Sequence, residues 1–144
     1  PLDGFGALMP YKEKRKILGI LFLSSLFSGR APKGGAMLSV FMGGIRHPEY
    51  LKLSDAEVFE MVKKEIQETL CVTDFSPELF EITRHEMAIP QYDKTTPARM
   101  AAFAKAESMH LGLILGGNGI GGIGMADRIR QGKEMALRIV GENS

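Results

Sequence analysis

The chain has 144 residues, of which 44% are hydrophobic and 24% are charged, and its formal net charge is +1. This composition is typical of a globular protein with one ordinary core, and it excludes the disordered and fibrous classes. Because the charge is nearly neutral and the basic residues are spread along the chain, we expect no nucleic-acid partner.

Cysteine content and hydropathy bear on the cellular location. The single cysteine, Cys71, cannot form an internal disulfide, so the chain fits a reducing compartment and is predicted to be cytoplasmic. We expect Cys71 to be a small buried residue at the end of a helix. The most apolar run, residues 17–27, is too short to span a bilayer, but attachment to a membrane surface stays compatible with it. Since the chain starts at Pro1 without a methionine, we expect it to come from the middle of a longer protein.

The N-terminal part predicts an antiparallel sheet. Residues 4–9 form a short apolar segment, and a polar turn separates it from the strand-forming residues that begin at Ile17. We interpret these two segments as a hairpin. After a stretch rich in turn-forming residues, residues 36–42 are predicted as a third strand.

The next segment has the clearest helix signal. Ser54 followed three residues later by Glu57 is a capping box, which predicts a helix over residues 54–70. One face is apolar and is expected to be buried, and the opposite face is interpreted as a solvated surface. The apolar face consists of Val58, Met61, Val62, Ile66 and Leu70, and the charged face of Lys63, Lys64, Glu65 and Glu68.

Two more elements are predicted before the C-terminal part. Residues 79–89 are predicted as a strand that ends at Pro90, with His85 facing solvent rather than acting as a base. Thr96 followed by Pro97 is typical of an N-cap with proline at the first helical position. A helix of about ten residues should therefore run to Ser108.

The C-terminal part combines an apolar segment, a glycine-rich loop and a helix. Residues 111–115 are predicted as a strand, and five glycines lie between Gly117 and Gly124. Glycines let the backbone approach an anion, and the first turn of the following helix supplies N–H groups and a positive dipole. This layout is typical of phosphate binding. The helix is predicted over residues 125–140, and its buried side is expected to be Met125, Ile129, Ala136, Ile139 and Val140.

The glycines match the pattern Gly-x-Gly-x-x-Gly twice, once from Gly117 and once from Gly119. A Rossmann unit that opens with this pattern continues into a second strand, with an acidic residue about 20 positions later. Here the helix runs almost to Ser144, so we expect the loop to close a dinucleotide site rather than to open one. The alternative is that the glycines only permit close packing of the helix on the strand.

The residues predict no metal site and no covalent nucleophile. His47, His85 and His110 lie far apart in the sequence, without cysteines or carboxylates at ligand spacing. No nucleophile elbow and no cysteine–histidine pair is found. Composition and spacing therefore lead to a nucleotide-contacting α+β chain whose catalytic residue is unknown.

Several strings of residues carry a resemblance to a known family. They are GFGALMP at 4–10, LGILFLSSLF at 18–27, GRAP at 29–32, GG at 43–44, AIPQY at 88–92 and the glycine segment from 116 to 132. Their order and spacing resemble the C-terminal part of protoporphyrinogen oxidases of the oxygen-dependent type. The strings SSLFxGRAP and AIPQY are specific, whereas the glycine segment recurs across the amine oxidase and phytoene desaturase group of flavoproteins.

The resemblance implies an α+β fold in two parts. Residues 1–95 would belong to a substrate-binding domain with antiparallel strands, and residues 96–144 would close an FAD-binding domain with a helix, a strand, a loop and a helix. It also implies an FAD-dependent oxidase that converts protoporphyrinogen to protoporphyrin in haem biosynthesis, with oxygen reoxidising the flavin.

The resemblance also implies which residues lie beside the ligands. The last helix would point its N-terminus at the carbonyl region of the flavin ring, where its dipole favours the reduced form. Leu8 and Phe22 would form apolar walls against a flat tetrapyrrole. The residues expected to approach FAD are Ile89, Pro90, Gly117, Asn118, Gly119, Gly122, Ile123, Gly124 and Met125.

Two departures from the family pattern affect these expectations. His85 stands where relatives often have a tryptophan, and the N-terminal unit that holds the ADP half of FAD is missing. We therefore expect a fragment that is inactive alone, binds FAD weakly or not at all, and exposes apolar surface that favours self-association. The parent protein would be compatible with peripheral membrane association.

Two alternatives stay open at this point. One is a related flavoprotein that acts on amines or polyenes. The other is a self-contained nucleotide-binding or interaction module, which tight binding of FAD or NAD by this chain would support.

Overall fold

The computed structural model describes residues 2–142, which fold as two compact units. The first unit ends at His85 and the second begins at Glu86. The first contains a three-stranded sheet and a long helix, and the second contains two helices. The α+β class is confirmed, whereas the division into a substrate-domain part and a flavin-domain part stays a prediction.

One antiparallel sheet forms in the first unit, as predicted. Strand β1 (Gly6–Leu8) pairs with β2 (Ile17–Phe22), and β2 pairs with β3 (Leu38–Met42). Gly6 has a φ of +149°, and a Cβ atom built there would lie 2.0 Å from the carbonyl oxygen of Ile20. Only glycine fits where these two strands meet.

The apolar run that begins at Ile17 is not one continuous strand. After β2 the chain turns into α1, a short helix over Leu23–Leu26. The Ser24 hydroxyl accepts a hydrogen bond from the Met37 N–H at 3.1 Å. The Ser24 N–H also donates to the Met37 carbonyl at 3.4 Å, so α1 stays tied to the residue before β3 although β2 itself ends at Phe22.

The predicted capping box is present at the start of α2 (Asp55–Leu70). The Glu57 N–H donates to the Ser54 hydroxyl at 3.3 Å, and the Ser54 N–H donates to the Glu57 carboxylate at 2.8 Å. The apolar face of α2 and the central strand together form the core of the first unit. This core consists of Ile17, Ile20, Phe22, Val58, Val62 and Ile66.

Glu65 corrects the prediction that the whole charged face of α2 is solvated. The residue is only 5% exposed, and its carboxylate pairs with the Arg15 guanidinium at 3.1 Å. It also accepts a hydrogen bond from the Lys16 N–H at 3.2 Å. The interior tolerates this carboxylate because the Arg15 cation balances its charge and the Lys16 N–H bonds one of its two oxygens. Lys64 and Glu68 are exposed, as predicted.

The strand predicted over residues 79–89 is not formed. Within the described part of the chain this segment has no ladder partner, and side chains hold it instead. Phe80 packs edge-to-face against Phe59, with ring centres 4.9 Å apart, and Arg84 donates to the Leu53 carbonyl at 2.8 Å. The prediction is wrong because a strand needs a neighbouring strand, which apolar content alone does not supply.

Cys71 and His85 differ in part from their predicted environments. Cys71 ends α2, as predicted, but it is exposed rather than buried. Its φ of +53° belongs to the left-handed conformation that commonly ends helices, and this turn leaves the side chain at the surface. His85 is exposed, as predicted, although it does not lie on a strand.

The helices of the second unit are α3 (Thr96–Met109) and α4 (Met125–Glu142). Thr96 is not the predicted N-cap: it lies inside the first turn, and its hydroxyl accepts a hydrogen bond from the Asp93 N–H at 2.9 Å. A cap at Thr96 would place the first helical residue at Pro97, whereas the helix begins at Thr96 itself. It ends at Met109, one residue after the predicted end. None of the helices described is long and apolar enough to cross a membrane.

Residues 111–115 do not form the predicted strand. The described residues of the second unit contain no strand that could pair with them, and the Leu115 N–H donates to the Glu107 carboxylate at 2.7 Å instead. Backbone polar groups need partners, and here a side chain from α3 supplies one.

Helix α4 turns its apolar side to the surface. Its inner face is polar, because Arg128 and Gln131 bond to the preceding loop. This observation overturns the predicted buried side and confirms the predicted exposed apolar surface, while self-association stays a prediction. The exposed residues are Met125, Ile129, Ala136, Ile139 and Val140.

Candidate functional site

The glycine loop, residues 116–124, lies immediately before α4. Gly117, Gly121 and Gly122 have φ angles of +110°, +75° and +110°, which residues with side chains rarely adopt. A Cβ atom built at Gly117 or at Gly119 would meet no atom within 4 Å. These two glycines therefore border open space, which favours a ligand-facing loop over glycines that serve only helix packing.

Two polar side chains of α4 hold this loop. The Arg128 guanidinium donates to the carbonyl oxygens of Gly117 and Ile120, the latter at 2.8 Å. The Gln131 amide oxygen accepts from the Gly117 N–H at 2.8 Å, and its amide nitrogen donates to the Ile120 carbonyl at 3.0 Å. Arg128 also donates to Gln131 at 2.6 Å, so one network fixes the loop at two positions.

Tyr92 provides a third anchor from the segment before α3. Its hydroxyl donates to the Asn118 carbonyl and accepts from the Gly122 N–H, both at 2.8 Å. The guanidinium carbon of Arg99 lies 5.9 Å from the centre of the Tyr92 ring and supports it. One phenol therefore bridges two positions of the loop.

The sequence patterns do not identify these three anchors. Arg128 and Gln131 lie on the side of α4 that lacks the apolar residues, and Tyr92 is only the last residue of the string AIPQY. The sequence does contain a signal for Arg128 and Gln131, because these two polar residues are three positions apart and therefore share one face of the helix that follows the loop. No local signal predicts the contact of Tyr92 with residues 118 and 122.

The structure brings most of the predicted flavin residues together. Six of them lie in the glycine loop, and Met125 begins α4. In the part of the chain that the structure describes, the N–H groups of Asn118, Gly119 and Gly121 make no hydrogen bond. These donors are thus available to a ligand. The six loop residues are Gly117, Asn118, Gly119, Gly122, Ile123 and Gly124.

Ile89 and Pro90 lie outside the loop but in the same unit. They stand shortly before Tyr92, whose hydroxyl ties their segment to the loop. Ile89 is 58% exposed, so its side chain is accessible. Their approach to a flavin stays a prediction.

Asp127 limits which ligand group can approach α4. A Cβ atom built at Gly122 would lie 2.5 Å from the Asp127 carboxylate, and one at Gly124 would lie 3.1 Å from it. Arg130 donates to this carboxylate at 2.9 Å. Since a negative charge already interacts with the N-terminal end of the helix dipole, a phosphate placed there would be repelled. The geometry therefore favours a neutral carbonyl group over the phosphate that the glycine pattern indicates.

The two predicted substrate residues lie in the first unit and differ in exposure. Phe22 is 8% exposed and belongs to the core. Leu8 is 88% exposed and lines a cavity of about 480 Å³ beside the turn Gly44–Arg46. Only Leu8 therefore offers a free apolar surface, and the role of both residues stays a prediction.

Glu107 should make the second unit sensitive to acid. The pKa of Glu107 is lowered, first because its carboxylate accepts from the Leu115 N–H and then because Arg138 donates to it. Because the pKa of Glu107 is lower in the folded than in the unfolded chain, where it is about 4.3, the ionised carboxylate stabilises the fold at pH values above about 4.3. This stabilisation is lost as the pH falls through the pKa of the folded state. We expect Glu107→Gln to lower the melting temperature at pH 7, and we expect this difference to disappear near pH 3.

Thermal melts of the wild type and of Glu107→Gln between pH 7 and pH 3 measure this effect. Glu134→Gln is the matched control, because Glu134 is exposed and lies 4.0 Å from Arg130. A difference between the wild type and Glu107→Gln that stays constant down to pH 3 would contradict the assignment.

Comparison with known proteins identifies the family. The model of the flavin containing amine oxidoreductases matches residues 5–140, which is nearly the whole chain. The chain belongs to this family. The resemblance to protoporphyrinogen oxidases is confirmed as well, because relatives of that name match this chain over almost all of its length.

Three relatives show the extent of the similarity. The chain is 34% identical over 143 residues to protoporphyrinogen oxidase 2, chloroplastic/mitochondrial, of Arabidopsis thaliana, which covers 97% of this chain and 28% of that protein. It is 33% identical over 143 residues to the mitochondrial protoporphyrinogen oxidase of Nicotiana tabacum, and this alignment also covers 97% of this chain and 28% of that protein. It is 24% identical over 132 residues to coproporphyrinogen III oxidase of Bacillus subtilis, which covers 91% of this chain and 28% of that protein. The chain thus spans less than a third of the length of these relatives.

Proposed function

We propose that this chain forms part of an FAD-dependent oxidase that converts protoporphyrinogen to protoporphyrin, with oxygen as the final electron acceptor. The observation that carries the proposal is the identity of 34% and 33% to two protoporphyrinogen oxidases over 97% of the chain. Membership of the flavin containing amine oxidoreductase family supports the cofactor.

The glycine loop fits the ring of FAD better than its phosphates. Asn118, Gly119 and Gly121 carry N–H groups that lack partners within the described chain, and a Cβ atom at Gly119 would meet open space. Asp127 keeps phosphate away from the start of α4, whereas a neutral ring carbonyl would accept hydrogen bonds there. When bound, FAD would accept the electrons that leave the substrate.

The role of the protein residues would be orientation and electrostatics. Tyr92, Arg128 and Gln131 hold the loop before any ligand arrives, so its N–H groups need little reorganisation when they bind. The free N–H groups of Asn118, Gly119 and Gly121 would donate to the ring carbonyl region, where negative charge develops on reduction. Ile89 and Pro90 would contact the ring from the segment that Tyr92 ties to the loop.

The proposal is tested on the protein expressed from its complete gene. We expect the purified protein to show a flavin absorption spectrum and to convert protoporphyrinogen to a fluorescent porphyrin with consumption of oxygen. Flavin absorption with oxidation of an amine, and without porphyrin fluorescence, would instead support a related amine oxidase. Absence of both flavin and turnover would overturn the proposal.

The 144-residue chain alone provides a second readout. Because it spans less than a third of its relatives, we expect it to bind added FAD weakly or not at all and to show no turnover. Tight binding of FAD or NAD by this chain in a titration would instead support a self-contained nucleotide-binding module.

A further inference from the structure

The cavity that Leu8 lines is formed by three neighbouring stretches of the first unit. The end of β1 continues through Pro10 into the 3-10 turn Tyr11–Glu13, and a second 3-10 turn, Gly44–Arg46, follows β3. The cavity is open to solvent and has a volume of about 480 Å³. The lining is mostly apolar, and its residues include Leu8, Met9, Tyr11, Leu18, Ile45 and Arg46.

Arg46 is the one guanidinium that lines this cavity, and it lacks an acidic partner in the described chain. Its guanidinium carbon lies 5.2 Å from the centre of the Tyr11 ring, so the side chain is positioned by stacking. Arg15 and Arg84 of the same unit, by contrast, pair with carboxylates at 3.1 Å and 2.7 Å. The positive charge of Arg46 is therefore available to an anionic ligand.

The rim of the cavity exposes an unusual amount of apolar surface. Leu8 is 88% exposed, Ile45 is 92% exposed, and Tyr11 is 76% exposed. Water contact with this surface is unfavourable, and an apolar ligand that covered it would gain hydrophobic stabilisation. The combination of this surface with an unpaired guanidinium is complementary to an amphipathic carboxylic acid.

We propose that this cavity binds a carboxylate arm of an apolar tetrapyrrole acid, with Arg46 as the residue that recognises the carboxylate. The inference rests on the proposed function, because protoporphyrinogen is an apolar ring system that carries two carboxylic acid side chains. Leu8 and Ile45 contact the apolar body of the ligand, and the guanidinium donates to the carboxylate oxygens. Arg46 is a specificity-determining residue for the acid and takes no part in electron transfer.

The test uses the 144-residue chain and two stable probes, protoporphyrin IX and its dimethyl ester, with binding followed by porphyrin fluorescence. The ester keeps the ring but removes the negative charges. We expect the wild type to bind the diacid more tightly than the ester. Arg46→Gln should weaken binding of the diacid by about tenfold and leave the ester unchanged, since only the charge-assisted hydrogen bonds are lost.

Arg30→Gln is the matched control. Arg30 also stacks on an aromatic ring, with its guanidinium carbon 5.8 Å from the centre of Phe27, but it does not line the cavity. Arg30→Gln should bind both probes as the wild type does. A second variant, Leu8→Asp, should weaken binding of both probes because it places a charge on the apolar wall. Circular dichroism establishes that each variant is folded.

Equal binding of the diacid and the ester by the wild type would overturn the inference, and so would an Arg46→Gln variant that binds the diacid normally. An equal loss in Arg30→Gln would show a general charge effect and would overturn it too. These outcomes are distinct from failure of the proposed function, which is read from flavin absorption and turnover of the complete protein.

Discussion

Replacement of Arg128 by leucine is expected to release the glycine loop and to weaken flavin binding by about tenfold or more in the protein expressed from its complete gene. Arg128 donates to two loop carbonyls and to Gln131, and hydrogen bonds from a charged group contribute roughly 1.5–3 kcal/mol each. A loss of about 1.4 kcal/mol corresponds to a tenfold change in affinity. Without Arg128 the loop must be ordered when the ligand binds, and this entropy cost lowers the affinity.

Flavin dissociation, followed by absorption and fluorescence, measures this effect. Hydrogen–deuterium exchange of residues 116–122 in the 144-residue chain measures loop order without any flavin, and it should rise in Arg128→Leu. Lys133→Leu is the control, because Lys133 lies on the same helix and is exposed, and within the described residues it makes no hydrogen bond to the loop. Unchanged exchange and unchanged flavin affinity in Arg128→Leu would show that the network does not hold the loop.

Replacement of Ile66 by alanine is expected to lower the free energy of unfolding of the first unit by roughly 2–5 kcal/mol. Ile66 is 1% exposed and packs with Ile17 and Ile20 of β2 in the core. The substitution removes buried methyl and methylene groups and leaves a cavity that the neighbouring side chains fill only in part. Since this core joins the sheet to α2, the loss should affect the first unit as a whole.

Urea denaturation followed by circular dichroism gives the free energy of unfolding. Ile45→Ala is the matched control, because it is the same chemical change at a residue that is 92% exposed. Ile45→Ala should change the free energy of unfolding by less than about 0.5 kcal/mol. Similar losses in the two variants would contradict the assignment of Ile66 to the core.

The elements that could be predicted from the sequence are those with local signals. The capping box of Ser54 and Glu57 and the apolar spacing of α2 both lie within a few residues, and the helix forms as predicted. The apolar segment 4–9 and the strand-forming residues after Ile17 likewise predict the hairpin, which forms between β1 and β2. The glycine pattern likewise predicts the position of the loop before α4, but it does not predict that the Asp127 carboxylate lies beside Gly122.

The predictions that are wrong depend on partners far away in the chain. Residues 111–115 are apolar enough for a strand, but no strand of the described second unit pairs with them. The side of α4 that faces inward is the one whose polar residues bond to the glycine loop, and the apolar side, which includes Ile129, faces solvent. In each case the residue pattern describes what a segment can form, and the partner decides what it does form.

The sequence by itself determined the α+β class, the long helix of the first unit, the position of the glycine loop and the family to which the chain belongs. Only the tertiary structure decided that Glu65 is buried against Arg15, that Tyr92 and Arg128 hold the loop, and that Arg46 borders an apolar cavity. The reason is physical. Helix caps and turns are governed by neighbours within a few residues, whereas burial and pairing are governed by contacts that form only when distant segments pack together.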